Sequence, residues 1–343
     1  MRVGMLQETG RVVVQEAPRP RPAPDEVLIR VAYAGVCGSD LHAFTGTHPF
    51  RKPPVVLGHE VSGTIAEAGA EVTGLQVGDR VTVMPYVSCG RCHYCAQGRT
   101  NICENKIVPG IGGWQGTFAD LFIARADITY PLGPDTSLVQ GALAEPLAVG
   151  AHAVARGGVA PGNDVLVLGG GTIGLLTGYA ALRAGARSVA LTDLYDYNLR
   201  VAREIGIPHA YNARSEGLED AIRRDYPEGL DVIFLAGAAP VLVGQATRLA
   251  RRGGRIVSTA LFDGPVPVDV VAMTLYELEL VGTQIYQATD FFRALAWLNE
   301  DGPRLERLVD HVMPLEQAHE AMTLLAERRE DVVKILLQPE NER

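Results

Sequence analysis

Five cysteines are the residues whose spacing first demands a chemical explanation. Four of them, Cys89, Cys92, Cys95 and Cys103, form a C-x2-C-x2-C-x7-C run in a glycine-containing loop. Two short spacings let one turn deliver three thiolates, and the loop returns with a fourth. A closed tetrahedron of thiolates is what a structural Zn2+ takes. Iron–sulfur ligation uses comparable spacings, but no proline follows Cys103 and the chain has only one such set. Four protein ligands leave no open position, so this site is expected to hold a lobe (residues 86–106) together and do no chemistry.

The fifth, Cys37, stands in Cys37-Gly38-Ser39-Asp40-Leu41-His42, and Gly58-His59-Glu60 follows further along. Thiolate, imidazole and carboxylate are all good zinc ligands, and three of them leave a fourth position for water or substrate. Spacing alone keeps a second reading open. A lone cysteine is often a small buried hydrophobe, and a lone histidine a surface or hydrogen-bonded residue.

A third feature is Gly169-x-Gly171-x-x-Gly174, which follows the apolar run Val165–Leu168 and opens an apolar helix. Gly169 permits a tight turn, Gly171 lets backbone approach a pyrophosphate, and Gly174 allows close helix–sheet packing. The loop residues Thr172 and Ile173 begin the helix, whose free N–H groups favour phosphate. Asp193 closes the next strand-like run, where a carboxylate accepts from adenosine ribose hydroxyls and repels a 2′-phosphate. The pattern therefore indicates NAD in preference to NADP.

The elements around these residues divide by texture. From Met1 to about Pro146, short alternating runs (Arg11–Val14, Glu26–Ala32, Val61–Ala68, Asp79–Val83, Thr117–Ile123) separated by Pro and Gly suit a barrel or sandwich. From Asp164 to about Gly282 the pattern alternates. Val165–Leu168, Ser188–Thr192, Val232–Leu235, Arg255–Thr259 and Leu278–Gly282 read as strands; Thr172–Ala184, Tyr197–Ile205 and Val241–Ala250 read as helices. Such alternation implies a doubly wound parallel sheet. A helical tail ends in a strand at Asp331–Leu337. The fold class is α/β, with one domain inserted in another: 147–285 inside 1–146 plus 286–343.

Composition narrows the partners. A net charge of −9 argues against a nucleic-acid surface, which is normally basic. The uncharged run Val165–Leu182 is interrupted by Gly169-Gly170-Gly171, so a membrane span is not expected. The N-terminus has no apolar signal region, and an odd number of closely spaced cysteines suits metal binding in a reducing compartment, with cytoplasm as the expectation.

Taken in order, these motifs resemble the zinc-containing medium-chain dehydrogenase/reductase family. The resemblance rests on Gly35-Val36-Cys37-Gly38-Ser39-Asp40-Leu41-His42, Gly58-His59-Glu60-x2-Gly63-x5-Gly69, the four-cysteine lobe, Glu145-Pro146-Leu147-Ala148-Val149-Gly150 and the glycine loop. It is strongest toward the polyol branch (sorbitol, xylitol and butanediol dehydrogenases), with threonine dehydrogenases next. It implies a GroES-like catalytic domain carrying an inserted Rossmann domain, two zinc ions per chain and NAD. It also implies Cys37, His59 and Glu60 around catalytic zinc, with Glu145 a fourth ligand or bound to the zinc water. Zinc lowers the pKa of a bound oxygen, so an alcohol can lose its proton near neutral pH and then pass hydride to nicotinamide.

By the same resemblance Ser39 and His42 relay the proton to solvent. Asn198 lies near the adenosine ribose, and Ala236, Thr259, Leu261, Thr283 and Ile285 line the nicotinamide. Animal sorbitol dehydrogenases carry an arginine where this chain has Ile285 and usually lack the four-cysteine zinc. The expected substrate is therefore a small polyol, sugar acid or related secondary alcohol, with L-threonine second. A homotetramer is expected first and a homodimer second. The rival of another class, a zinc-free enone or quinone reductase, gives no reason to keep Cys37, His59 and Glu60 together. A non-catalytic protein that keeps the fold would bind NAD without hydride transfer.

Overall fold

The computed structural model describes residues 1–327 and 331–339. It divides into two compact units, Met1–Glu145 with Ala294–Arg343, and Pro146–Arg293. The second crossing falls eight residues beyond the 285/286 border expected from sequence. The reason is local. The helix Ala288–Leu305 starts with its Asp290 carboxylate bonded to His152 Nδ1 at 2.8 Å, and both side chains are buried. The first turn of that helix therefore belongs to the inserted unit.

The first unit is built on a seven-stranded sheet. Its strands run in the order Val309–Pro314, Lys334–Gln338, Glu26–Gly35, Glu60–Ala68, Arg80–Val83 and Thr129–Pro131, with Leu121–Arg125 also paired to Glu26–Gly35. A three-stranded sheet joins Arg11–Glu16, Arg2–Glu8 and Val55–Val56. In Glu26–Gly35 the residues Val27, Leu28, Ile29, Val31 and Ala34 are fully buried. This strand is enclosed, so it reads as a continuous apolar run rather than a strict alternation.

Four strands of this unit went unread in the sequence, Arg2–Glu8, Val55–Val56, Thr129–Pro131 and Val309–Pro314. Another was misplaced: the expected Thr117–Ile123 is Leu121–Arg125. Thr117 and Phe118 instead spend their N–H groups on crossing bonds, Thr117 N to Gly58 O at 3.1 Å and Phe118 N to Leu57 O at 2.9 Å. Those bonds hold the segment just before His59.

The second unit is a six-stranded parallel sheet ordered His209–Asn212, Ser188–Asp193, Asp164–Leu168, Leu230–Leu235, Ala250–Ser258, Glu279–Gly282. The order runs outward from Asp164–Leu168 in both directions, so this strand's carboxyl end is the switch point where ligands bind in such sheets. Asp164–Leu168 and Leu230–Leu235 are buried along their whole length, as central parallel strands must be. The edge strand His209–Asn212 and the helix Leu218–Asp225 were not read from sequence, because both are short and strongly polar. The fifth strand begins earlier than expected, at Ala250. Its pairing slips between Leu230 and Val232, and Gly253 takes φ +71° there, so residues 251–254 form a bulge. Among the described residues no helix is long and apolar enough to cross a membrane.

Candidate active site

Strand register assembles the first site. Gly35 lies directly opposite Glu60, and Leu336 directly opposite Gly35. Cys37 follows the end of one strand, His59 precedes the start of the next, and Lys334 begins the third. Residues far apart in sequence thus meet at one end of a three-strand ladder. The ligand atoms of Cys37, His59 and Glu60 all lie within 4.8 Å of one another.

Glu60 sits in a slot made for it. A Cβ at Gly35 would collide with its carboxylate, so only glycine leaves room. Both Glu60 and Lys334 are 1% exposed and form an ion pair through Oε2. Lys334 Nζ also donates to Val36 O at 3.0 Å. Glu60 Oε1 is buried and has no hydrogen-bond partner among the described residues. An oxygen left this way, beside a thiol and an imidazole, is what a metal ligand looks like without its metal. The residues present fit a zinc ion.

Asp40 organises the other side. It is fully buried, and Oδ2 accepts from Cys37 N at 3.1 Å while Oδ1 accepts from Gly58 N at 3.1 Å. His59 Nδ1 is 3.6 Å from the same Oδ1. Burial by itself would raise the Asp40 pKa, but His59, Arg51 and the Gly58 N–H outweigh it and hold the carboxyl down at about 2. Burial by itself would lower the His59 pKa, but Asp40 overrides it and the imidazole is raised well above its usual value. A carboxylate on one ring nitrogen orients the other for metal. Gly58 permits the bend, taking φ +90° where a Cβ would strike Phe118 and Thr117.

Ser39 and His42 both lie on the helix Gly38–Phe44, one turn apart. Ser39 Oγ accepts from Arg51 Nη1 at 3.2 Å, and His42 Nδ1 is 2.9 Å from Thr47 Oγ1. His48 Nδ1 accepts from the N–H groups of Phe50 and Arg51, and burial followed by Arg51 lowers its pKa to about 4. It is a neutral acceptor that shapes the loop carrying Arg51. Glu145 is buried near the start of the helix Ala144–Gly157, outside the group of atoms within 4.8 Å. Sequence reasoning named Asp40 only as part of a motif and missed Arg51 and Lys334 altogether.

The four remaining cysteines converge as their spacing suggests. Their sulfurs lie within 4.8 Å of one another, with Cys92 Sγ 3.5 Å from Cys95 Sγ and 3.8 Å from Cys103 Sγ. Four thiolates about 2.3 Å from one ion stand roughly 3.8 Å apart, so the set fits zinc. The N–H groups of Arg91 and Cys92 bring the Cys89 thiol down to about 6, and those of Cys95 and Glu104 lower Cys92. Burial, then neighbouring Cys92 and Cys103, pushes Cys95 up to about 11.

The glycine loop lies at the carboxyl edge of the parallel sheet. Gly169 takes φ +110°, and a Cβ at Gly174 would run into the Gly169 carbonyl. A Cβ at Gly171 would meet nothing within 4 Å, so open space faces this residue at the start of the twelve-residue helix Thr172–Arg183. Asp193 Oδ2 accepts from Gly170 N at 2.6 Å, and Oδ1 accepts from Tyr195 N at 2.9 Å and Asn198 Nδ2 at 3.2 Å. The carboxylate is locked beside the loop, and the residues fit a dinucleotide. Ala236 N and Gly237 N bond Leu168 O; Thr259 N and Oγ1 bond Leu235 O; Thr283 N bonds Ser258 O. Each of these follows the carboxyl end of a strand. Leu261 is exposed just beyond, and Ile285 takes φ +49°, a left-handed conformation that is uncommon for a β-branched residue.

Comparison with known proteins agrees with this geometry. Residues 23–134 match the alcohol dehydrogenase GroES-like domain and residues 172–300 the zinc-binding dehydrogenase domain. The chain is 32% identical to a sorbitol dehydrogenase of Bacillus subtilis, over 99% of this chain and 97% of that protein. It is 33% identical to a 2-dehydro-3-deoxy-L-galactonate 5-dehydrogenase of Pseudoalteromonas atlantica, over 86% of each. Among solved structures, a zinc-binding dehydrogenase of Sinorhizobium meliloti bound to NADP superposes with a TM-score of 0.91. That structure is 31% identical, covering 98% of this chain and 99% of its own.

Proposed function

The chain belongs to the zinc-containing alcohol dehydrogenase family, on its polyol dehydrogenase branch, and from that premise we propose that it oxidises a secondary alcohol of a small polyol, sugar acid or related compound to the ketone with NAD. The observation that carries the reading is the trio Cys37, His59 and Glu60, closed behind by Asp40 and Lys334. When bound, zinc supplies the Lewis acidity that acidifies an alcohol, and nicotinamide supplies the hydride acceptor. A zinc-free reductase has no use for a buried carboxylate held beside a thiol and an imidazole.

The chain's own side chains supply the rest. Cys37, His59 and Glu60 hold the metal, with Glu145 as an outer carboxylate or further ligand. Ser39 accepts from Arg51, which leaves its own O–H free to donate, and His42 one turn on passes the proton outward with Thr47 fixing its ring. Asp193 selects NAD, since its fixed carboxylate repels a 2′-phosphate. Gly169, Gly171, Thr172, Ile173 and Gly174 hold the pyrophosphate. Asn198 adjoins the ribose, and Ala236, Thr259, Leu261, Thr283 and Ile285 surround the nicotinamide.

Self-association is part of the proposal, as a homotetramer or homodimer working in a reducing compartment such as the cytoplasm. Its support is the open edge strand Glu279–Gly282, with Leu280 exposed on it and Val270, Val271 and Leu275 exposed on the preceding helix. The test of function is a panel of polyols, aldonates, butanediols and L-threonine with NAD or NADP, followed by absorbance of the reduced cofactor. Oxidation of a polyol or sugar acid with NAD supports the reading. Oxidation of none of them sinks it.

A further inference from the structure

We propose that Arg51 is a substrate-anchoring residue whose Nη2 receives a carboxylate next to the carbinol, so that the chain favours sugar acids over neutral polyols. This rests on the dehydrogenase reading above and sharpens its substrate class.

Arg51 follows the relay helix and is 6% exposed. Its Nε donates to Pro109 O at 3.1 Å, and its Nη1 donates to Ser39 Oγ at 3.2 Å. Nη1 also lies 3.5 Å from Asp40 Oδ1 and 3.5 Å from His59 Nδ1. Nη2 has no acceptor among the described residues, yet it is not sealed off and keeps contact with open space. A guanidinium so largely removed from water, with one nitrogen unused, is costly unless something completes it.

Asp40 does not complete it. Its carboxylate is shared among Cys37 N, Gly58 N, His59 and Arg51, and the Arg51 contact is long. Arg51 therefore carries a positive charge that is only partly balanced, within hydrogen-bond distance of Ser39. A substrate whose reacting hydroxyl meets Ser39 brings its neighbouring carbon toward this guanidinium. An anionic oxygen there gains a charge-assisted bond, whereas a neutral hydroxyl gains a weaker one. The guanidinium also ties the loop at Pro109 to the relay helix, and that positioning role alone would act on every substrate alike.

The experiment compares five- and six-carbon aldonates with the corresponding alditols, using kcat and KM for the natural chain, Arg51→Met and Arg51→Lys. The natural chain should favour aldonates. Arg51→Met should raise aldonate KM by roughly 10- to 100-fold, the range for a bond to a charged group. Any loss from disturbing Ser39 should fall on both classes alike, so the ratio of aldonate to alditol kcat/KM should drop by that same roughly 10- to 100-fold, and Arg51→Lys should recover part of the aldonate preference. Equal losses for both classes, or a natural preference for alditols, would overturn the proposal. Calorimetric titration of the zinc-loaded natural chain with D-gluconate and with sorbitol needs neither turnover nor a folded variant. Tighter gluconate binding supports the anchor, and equal or weaker binding refutes it. If gluconate binds tightly but no alcohol of any class is oxidised, the dehydrogenase reading fails while the anchor stands.

Discussion

Replacing Lys334 by methionine should destabilise the metal-free protein far more than the zinc-loaded one, and should tighten zinc binding. The ion pair with Glu60 is 1% exposed on both sides, so neither charge has water to fall back on. Removing one partner of such a pair costs about 3–5 kcal/mol, chiefly because the other charge is left buried alone. Zinc changes that account, since its double charge covers Glu60. What remains lost is the bond from Lys334 to Val36 O and some packing, about 1–2 kcal/mol. By linkage, the difference of about 2–3 kcal/mol appears as zinc affinity raised by roughly 30- to 150-fold.

Thermal unfolding would read the two losses separately. At about 2–4 °C per kcal/mol, the metal-free Tm should drop by roughly 6–20 °C and the zinc-loaded Tm by roughly 2–8 °C. Competition with a chromophoric chelator would give the affinity. Lys334→Arg should behave much like the natural chain, and adding Glu60→Gln to Lys334→Met should rescue part of the metal-free loss. Equal Tm drops with and without zinc, or weaker zinc binding, would refute the idea that Lys334 balances a ligand charge.

Three further outcomes follow from the same geometry. Cys37→Ser should lower zinc content from two per chain to one and abolish activity with the fold intact, whereas Cys95→Ser should also lose one zinc but loosen the lobe, seen as faster proteolysis around residues 86–106. Asp193→Ala should raise the KM for NAD by about 10- to 100-fold and narrow the preference over NADP, since a ribose hydroxyl bonded to this carboxylate is bonded to a charged group. Gly58→Ala should cost about 1–3 kcal/mol in denaturant unfolding, because alanine must take φ +90° and push against Phe118 and Thr117.

What could be read from the sequence was what is local in it. The four cysteines fall within fifteen residues, and the glycine loop with its preceding strand and following helix within about twenty, so turn geometry and helix start fix their meaning. Asp193 was readable for the same reason, at the end of the adjacent strand. The Cys37 centre was only half legible. Its ligand types were visible, but spacing alone left other roles open until the order of motifs was weighed.

The groups that complete that centre depend on sheet register. Lys334 reaches Glu60 because Lys334–Gln338 pairs beside Glu26–Gly35, a neighbour no local pattern announces. Arg51 resembles any loop arginine until the chain folds it against Ser39 and Pro109. The strand Arg2–Glu8 was unread for a related reason: its burial is irregular, with Val3 and Leu6 enclosed and Glu8 exposed. Local propensity is weak at such positions and tertiary pairing decides.

The proposed activity turns on metal at Cys37, His59 and Glu60. The most direct measurement removes that zinc selectively, with the four-thiol site left filled, and follows NAD reduction by the best polyol or sugar acid before removal, after it, and after zinc is returned. Activity should vanish with the ion and come back with it, in proportion to zinc bound. Alcohol oxidation that continues undiminished in protein holding only the structural zinc would contradict the account.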